Sequence, residues 1–158
     1  MARYSKKSQY KEIEERAIYV LHSPVGKDCF ISHCRKDLLK DIYKDHCRGE
    51  RYKTETMTAT LKARGLRTCL HILDTVICTK VDTYHHVIAW TKILCDHGYT
   101  SLDQGNVTCY MDDMLPDTLS IYNRHRNTTL DDLLRCDNCI VKMYTRKLCT
   151  NNKEDSHA

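Results

Sequence analysis

The sequence predicts an α/β domain: a small three-stranded sheet, mixed or antiparallel, flanked by helices and followed by a C-terminal helical extension. Three observations carry this. Two short apolar runs, Ala17–Leu21 and Cys29–Ile31, are separated by His22-Ser23-Pro24-Val25-Gly26-Lys27. Proline fixes one dihedral there and glycine allows the reverse bend, so the two runs read as a hairpin. A third run, Cys69 to Val76, has strand composition, and segments with apolar residues at helical spacing stand between and after the strands. A chain of 158 residues is one domain, or one with a small appendage.

In order, residues 1–16 are polar and basic and end in Glu12, Glu14 and Glu15, which reads as a flexible start with a short helical lead-in. Lys36 to Cys47 is helical, with Leu38, Leu39, Ile42, Tyr43 and His46 recurring at helical spacing. Thr54 to Arg64 is a second helix, stopped by Gly65. In the third strand, Leu70 and Ile72 point to one face and Cys69, His71 and Leu73 to the other. Thr79-Lys80-Val81-Asp82 has the hydroxyl and the acid of a capping box. It opens a helix whose apolar stripe reads Val81, Tyr84, Val87, Ile88, Leu94 and Cys95, and which Gly98 ends. Residues 17–105 form the main domain. Residues 106–149 form the extension, with helices over Val107–Tyr122, despite Pro116, and Thr129–Arg135. Residues 150–158 read as a disordered tail.

Composition narrows the setting. Uncharged apolar stretches such as Val87-Ile88-Ala89-Trp90 are too short to span a bilayer, so no membrane role is expected. The start of the chain lacks a charged, apolar and small-residue leader. Ten cysteines are therefore read as reduced thiols of a cytoplasmic protein, not as a disulfide framework.

Ala17-Ile18-Tyr19, Phe30-Ile31-Ser32, a basic helix, a strand and an amphipathic helix ending His97-Gly98-Tyr99 follow one another in order. In that order they resemble the GIY-YIG nuclease family, over roughly Ala17 to Gly105. Ala-Ile-Tyr stands for Gly-Ile-Tyr, and Phe-Ile-Ser for Tyr-Ile-Gly. The resemblance implies a fold and a chemistry. In the family a motif tyrosine helps activate water and a helix arginine stabilises charge developing on the phosphate. A glutamate holds one divalent metal, magnesium or manganese, which acts as Lewis acid. Tyr19 keeps the first motif tyrosine. Phe30 replaces the second and loses its hydroxyl, and Ser32 replaces the motif glycine. The arginine position falls within Lys40, Asp41 and Ile42, where Lys40 keeps charge without the bidentate fork. The glutamate position falls on Val87, three residues before the anchor Trp90, and the chain has no glutamate between Glu55 and Glu154. His46, His71, His85 and His86 are weighed as replacement ligands, but adjacent His85 and His86 point about 100° apart on a helix. A degenerate member, its cleft made drier by Phe30 and Val87, is the reading that the resemblance favours.

Net charge is +4 but unevenly placed. From His33 to Arg67 ten basic residues face five acidic ones, so that segment carries +5 and the remainder −1. Arg35, Lys36, Lys40, Lys44, Arg48 and Arg51 are its core, a footprint for nucleic acid or another polyanion. The competing reading is a solvated helix face with Asp41 and Asp45 pairing beside Lys40 and Lys44.

Cys136-Asp137-Asn138-Cys139 is a C-x-x-C pair, with Cys149 ten residues later. Such thiolates suit a tetrahedral zinc ion, with the fourth ligand open among Cys109, His125 and His157. Three ordinary reduced thiols fit the same residues. The sequence thus leads to a GIY-YIG-like domain that binds nucleic acid without hydrolysing it. Two alternatives stand beside it. One is an active endonuclease with a relocated catalytic set of Tyr19, Lys40 and magnesium or manganese. The other is a protein-interaction module that uses the cysteine cluster.

Overall fold

A strand that is apolar at every position, as Ala17 to Leu21 is, must be covered on both faces. The computed structural model describes residues 11–51, 53–103 and 114–135, and this run is the middle of its central strand. Strand β1 (Glu14–His22) pairs antiparallel with β2 (Asp28–Arg35) on one side and with β3 (Cys69–Cys78) on the other. Ala17, Ile18, Val20 and Leu21 have no exposed surface. After β2 a single 3-10 turn, Lys36–Leu38, leads into α1 (Leu39–Cys47). Then come α2 (Glu55–Ala63), β3, α3 (Lys80–Asp96), β4 (Thr100–Ser101), α4 (Pro116–His125) and the one-turn α5 (Leu130–Leu133).

The fold is mixed α/β, with a four-stranded mixed sheet in the order β3-β1-β2-β4, flanked by helices. The three expected strands are present, and the fourth was not foreseen. It runs parallel to β2, with Asp28 opposite Thr100 and Cys29 opposite Ser101. The Thr100 N–H donates to the Lys27 carbonyl at 2.7 Å, and the Leu102 N–H to that of Cys29 at 2.8 Å. Two residues are too few to show a strand period. Their position follows from the end of α3. Gly98 adopts φ 89°, the Gly98 N–H donates to the Cys95 carbonyl, and the Tyr99 N–H to that of Leu94. This Schellman turn sends the chain along the open edge of β2.

One layer sets α1 and α2 against the sheet, with Leu39, Tyr43, Met57 and Leu61 packed on Tyr19, Leu21 and Leu70. The other sets α3 and α5 against the opposite face, with Trp90, Ile93, Leu94, Leu130 and Leu134 packed on Ile18, Val20 and Ile31. The C-terminal helices therefore share the core of the main domain. The Tyr122 hydroxyl also donates to Asp96 at 2.6 Å, tying α4 to α3.

Four expectations are corrected. Glu14, Glu15 and Arg16 are not a helical lead-in but strand residues, opposite Cys78, Ile77 and Val76. Their partners lie some sixty residues away, which local pattern cannot report. Leu73 is a bulge: Ile18 faces Asp74 and Tyr19 faces Ile72. The extra residue turns Asp74 and Val76 to the α3 side, where simple alternation puts them with Leu70 and Ile72. On α3, Val81 and Tyr84 are 51% and 48% exposed, and beside the expected Leu94 the helix buries Thr83, Ala89, Trp90 and Ile93. Thr83 is tolerated inside because its hydroxyl donates to the Thr79 carbonyl at 2.8 Å. The Thr79 hydroxyl accepts from the Asp82 N–H at 3.2 Å, as the capping pattern anticipates. Pro116 opens α4 at its first turn, where no backbone donor is needed, so it starts that helix rather than interrupting it. Among the described residues, no helix is long and apolar enough to cross a membrane.

Candidate nucleic-acid interface and the motif positions

Tyr19 on β1 lies opposite Ser32 on β2, and both stand on the face covered by α1 and α2. The covering helix brings His46 onto them. The Tyr19 hydroxyl is 3.4 Å from His46 Nε2, and the Phe30 ring lies 5.6 Å from the imidazole. His46 Nδ1 is 2.6 Å from the Thr54 hydroxyl, which donates to the Arg51 carbonyl at 3.4 Å. Burial pushes the Tyr19 hydroxyl up to about 12 and His46 down to about 4. Both groups are neutral near pH 7. One tautomer then satisfies the whole chain: Tyr19 donates to Nε2, Nδ1–H donates to Thr54, and Thr54 donates onward. A general base works best with a pKa near the operating pH. Here burial drives the two groups apart, and Tyr19 is 3% exposed, so neither water nor phosphate reaches it.

Val87 is elsewhere. It packs with Trp90 and Ile18 on the opposite face, so the sheet itself separates it from Tyr19, Phe30 and Ser32. Lys40 is exposed on α1. The sequence-predicted catalytic set is therefore not brought together as one cleft, and Phe30 and Val87 do not dry a shared space. A hard divalent ion takes carboxylate oxygens. The side chains bonded to or stacked on Tyr19 and Phe30 are Ser32, His46 and, behind it, Thr54, none of them a carboxylate. Among the described residues, no group of three or more His, Cys, Asp or Glu is arranged to hold a metal.

The four histidines considered as ligands also diverge. His46 is on the buried side of α1, and His71 stacks on His22 at 5.0 Å. His85 Nδ1 sits 2.9 Å from the Thr118 hydroxyl on α4. His86 is on the α3 side, where burial lowers its pKa most, Asp74 raises it and Arg124 and His125 lower it further. His125 stacks on Trp90 at 4.8 Å. Cys136, Cys139 and Cys149, with Cys109 and His157, lie outside the described residues. The six described cysteines form no disulfide, and burial pushes Cys29 up to about 12 and Cys34 to about 11.

The basic residues divide in two. Arg35 pairs with Asp37 at 2.8 Å, Lys36 with Glu15 at 2.9 Å and Arg51 with Asp45 at 3.5 Å. Lys40, Lys44 and Arg48 are exposed and make no ion pair among the described residues. They recur every four residues along α1, so they form one stripe on the side away from buried Leu39, Tyr43 and His46. The Asp41 and Asp45 pairing expected beside Lys40 and Lys44 is not made, because Asp45 turns to Arg51. Arg67 reaches the far end of this helix, where its charge lowers the Cys47 thiol against the larger upward effect of burial.

One constellation was missed. Arg16 is buried at the end of the sheet, donating to Glu14 Oε2 at 2.8 Å and to His33 Nδ1 at 2.9 Å. The signal was available: Arg16 alternates with Ile18 and Val20 on an inward-facing strand position.

Comparisons of the chain with known protein families, with curated proteins and with solved structures find no match. The class that the fold and site define is a mixed α/β domain with a cationic helix face.

Proposed function

We propose that this is a catalytically degenerate GIY-YIG-like domain that binds nucleic acid, or a similar polyanion, through α1 without hydrolysing it. The observation that carries the reading is the stripe of Lys40, Lys44 and Arg48, which make no ion pair among the described residues. Cations spaced along one exposed helix face track phosphates and displace condensed counterions. The strand, strand, helix, helix, strand, helix order supports the family resemblance. The burial of Tyr19 and the distance of Val87 support the absence of hydrolysis.

Each neutralised phosphate steepens the fall of log affinity with log salt by about 0.7 to 0.9. Replacing Lys40, Lys44 and Arg48 together by alanine is expected to flatten that slope by about 2 to 3, measured by fluorescence anisotropy on a labelled oligonucleotide. An unchanged slope would reduce the stripe to a solvated helix face. In the same samples, magnesium or manganese is expected to give no cleavage of plasmid or single-stranded DNA. Turnover that disappears in Tyr19→Phe would restore the endonuclease alternative.

A further inference from the structure

At the end of the sheet where β1 begins, β2 ends and α3 begins, an open cleft of about 530 Å³ runs beneath the first turn of α3. Its floor is Arg16, whose side chain is only 7% exposed. A guanidinium stays charged at any ordinary pH and presents five N–H donors. One Nη1 donor is taken by Glu14 and one Nη2 donor by His33, while Nε has no partner among the described residues. Lys80, the first residue of α3, and Arg35 line the same cleft. Glu12 and Glu14 are the carboxylates that line it, and Arg35 shares its charge with Asp37 at 2.8 Å. His33 registers the field: burial first, then Arg16 and Lys80, press its pKa down to about 4. Its ring is neutral with Nδ1 accepting from Arg16, which leaves Nε2–H as a donor.

We propose that this cleft binds the phosphate monoester of a nucleotide, free or at the end of a nucleic-acid strand, on Arg16, Arg35 and Lys80. A guanidinium fork and a helix N-terminus both favour phosphate oxygens, and here they meet in one recess. The volume is that of a small-molecule site and exceeds what a bare anion fills. Leu38, 40% exposed, and Ile42 give an apolar wall for a base. Glu12 and Glu14 supply acceptors for sugar hydroxyls. The cleft does not continue the α1 stripe. Ile42 lines it, and Lys40, two residues away, stands about 160° around the helix from Ile42. The site therefore stands whether or not the stripe tracks phosphates.

Titration calorimetry of the full chain with adenosine 5′-monophosphate, adenosine and inorganic phosphate tests this. The monophosphate is expected to bind at least about tenfold more tightly than adenosine, since charge-assisted hydrogen bonds are worth about 1.5–3 kcal/mol. Comparing a 5′-phosphorylated with a 5′-hydroxyl oligonucleotide separates the sources. A phosphate-dependent gain beyond that of the free nucleotide marks a strand end as the ligand, and no such gain marks the free nucleotide. Arg16→Gln is expected to abolish the preference. Because Arg16 is buried, unfolding of its variant would mimic a loss of binding, so two gentler changes decide the matter. Lys80→Ala should weaken the monophosphate, and Glu14→Gln should tighten it by removing the carboxylate that competes for Arg16. Alanine at Lys40, Lys44 and Arg48 should leave monophosphate affinity unchanged. Equal binding of adenosine and its monophosphate, no binding of either, or indifference to both Lys80→Ala and Glu14→Gln would overturn the proposal.

Discussion

The two faces of the sheet treat their polar residues in opposite ways. On the α1–α2 face, Tyr19, His46 and Thr54 form a closed neutral chain that ends on a backbone carbonyl. On the α3 face, Arg16 and His33 sit at an open cleft, with the Arg16 Nε donor left without a partner among the described residues. Of the motif positions, Tyr19, Phe30 and Ser32 are on the first face and Val87 is on the second. Motif identity thus says which residue stands at a strand position, while burial decides whether that residue can meet a ligand.

The largest effect that separates the faces is expected from Trp90→Ala. Trp90 is 2% exposed and anchors the α3 layer, with His125 stacked upon it. Its truncation should destabilise the domain by about 3–5 kcal/mol in urea unfolding. A loss confined to α4 and α5, with the sheet intact, would make the α3 layer an appendage rather than half of the core.

A second effect spreads over both faces. His46 and His33 each have a folded pKa near 4 against about 6.5 in the unfolded chain. Since the folded pKa is the lower one, protons favour the unfolded state. Stability is full above about pH 6.5 and is lost progressively as pH falls toward 4. His22 and His86, also lowered by burial, push the same way. Urea midpoints measured across that window check the sign. His46→Asn and His33→Asn should each remove part of the slope, one from each face. A slope that only His33→Asn alters would show His46 to be less buried in solution than its contacts imply.

The smallest effect concerns Tyr19→Phe. Loss of the hydroxyl leaves buried His46 Nε2 without its donor, which costs about 1 kcal/mol, the low end of the range for such groups given the 3.4 Å separation. Nucleic-acid affinity should not change. A fall in affinity without loss of stability would move Tyr19 from the core to the binding surface.

Much of the architecture was legible because it is local. The hairpin, the helix cap at Thr79, the stops at Gly65 and Gly98 and the basic character of α1 are each written within a few residues. The errors arose where distant segments meet. The Leu73 bulge, the fourth strand and the strand identity of Glu14–Arg16 depend on partners that a window of sequence does not contain. The α3 stripe was misjudged because Val81 and Tyr84 are apolar by type, yet the first turn of that helix overhangs a cleft instead of the core.

By itself the sequence determined the class of fold, the order of its elements and the concentration of positive charge between His33 and Arg67, since periodicity, turn chemistry and charge are properties of neighbours along the chain. Tertiary structure alone decided which described cations meet a carboxylate, that Tyr19 and Val87 stand on opposite sides of the sheet, and that Arg16 lines an open recess. Those outcomes depend on strand register and on which helix covers which face, and both are set by contacts between residues far apart in the sequence.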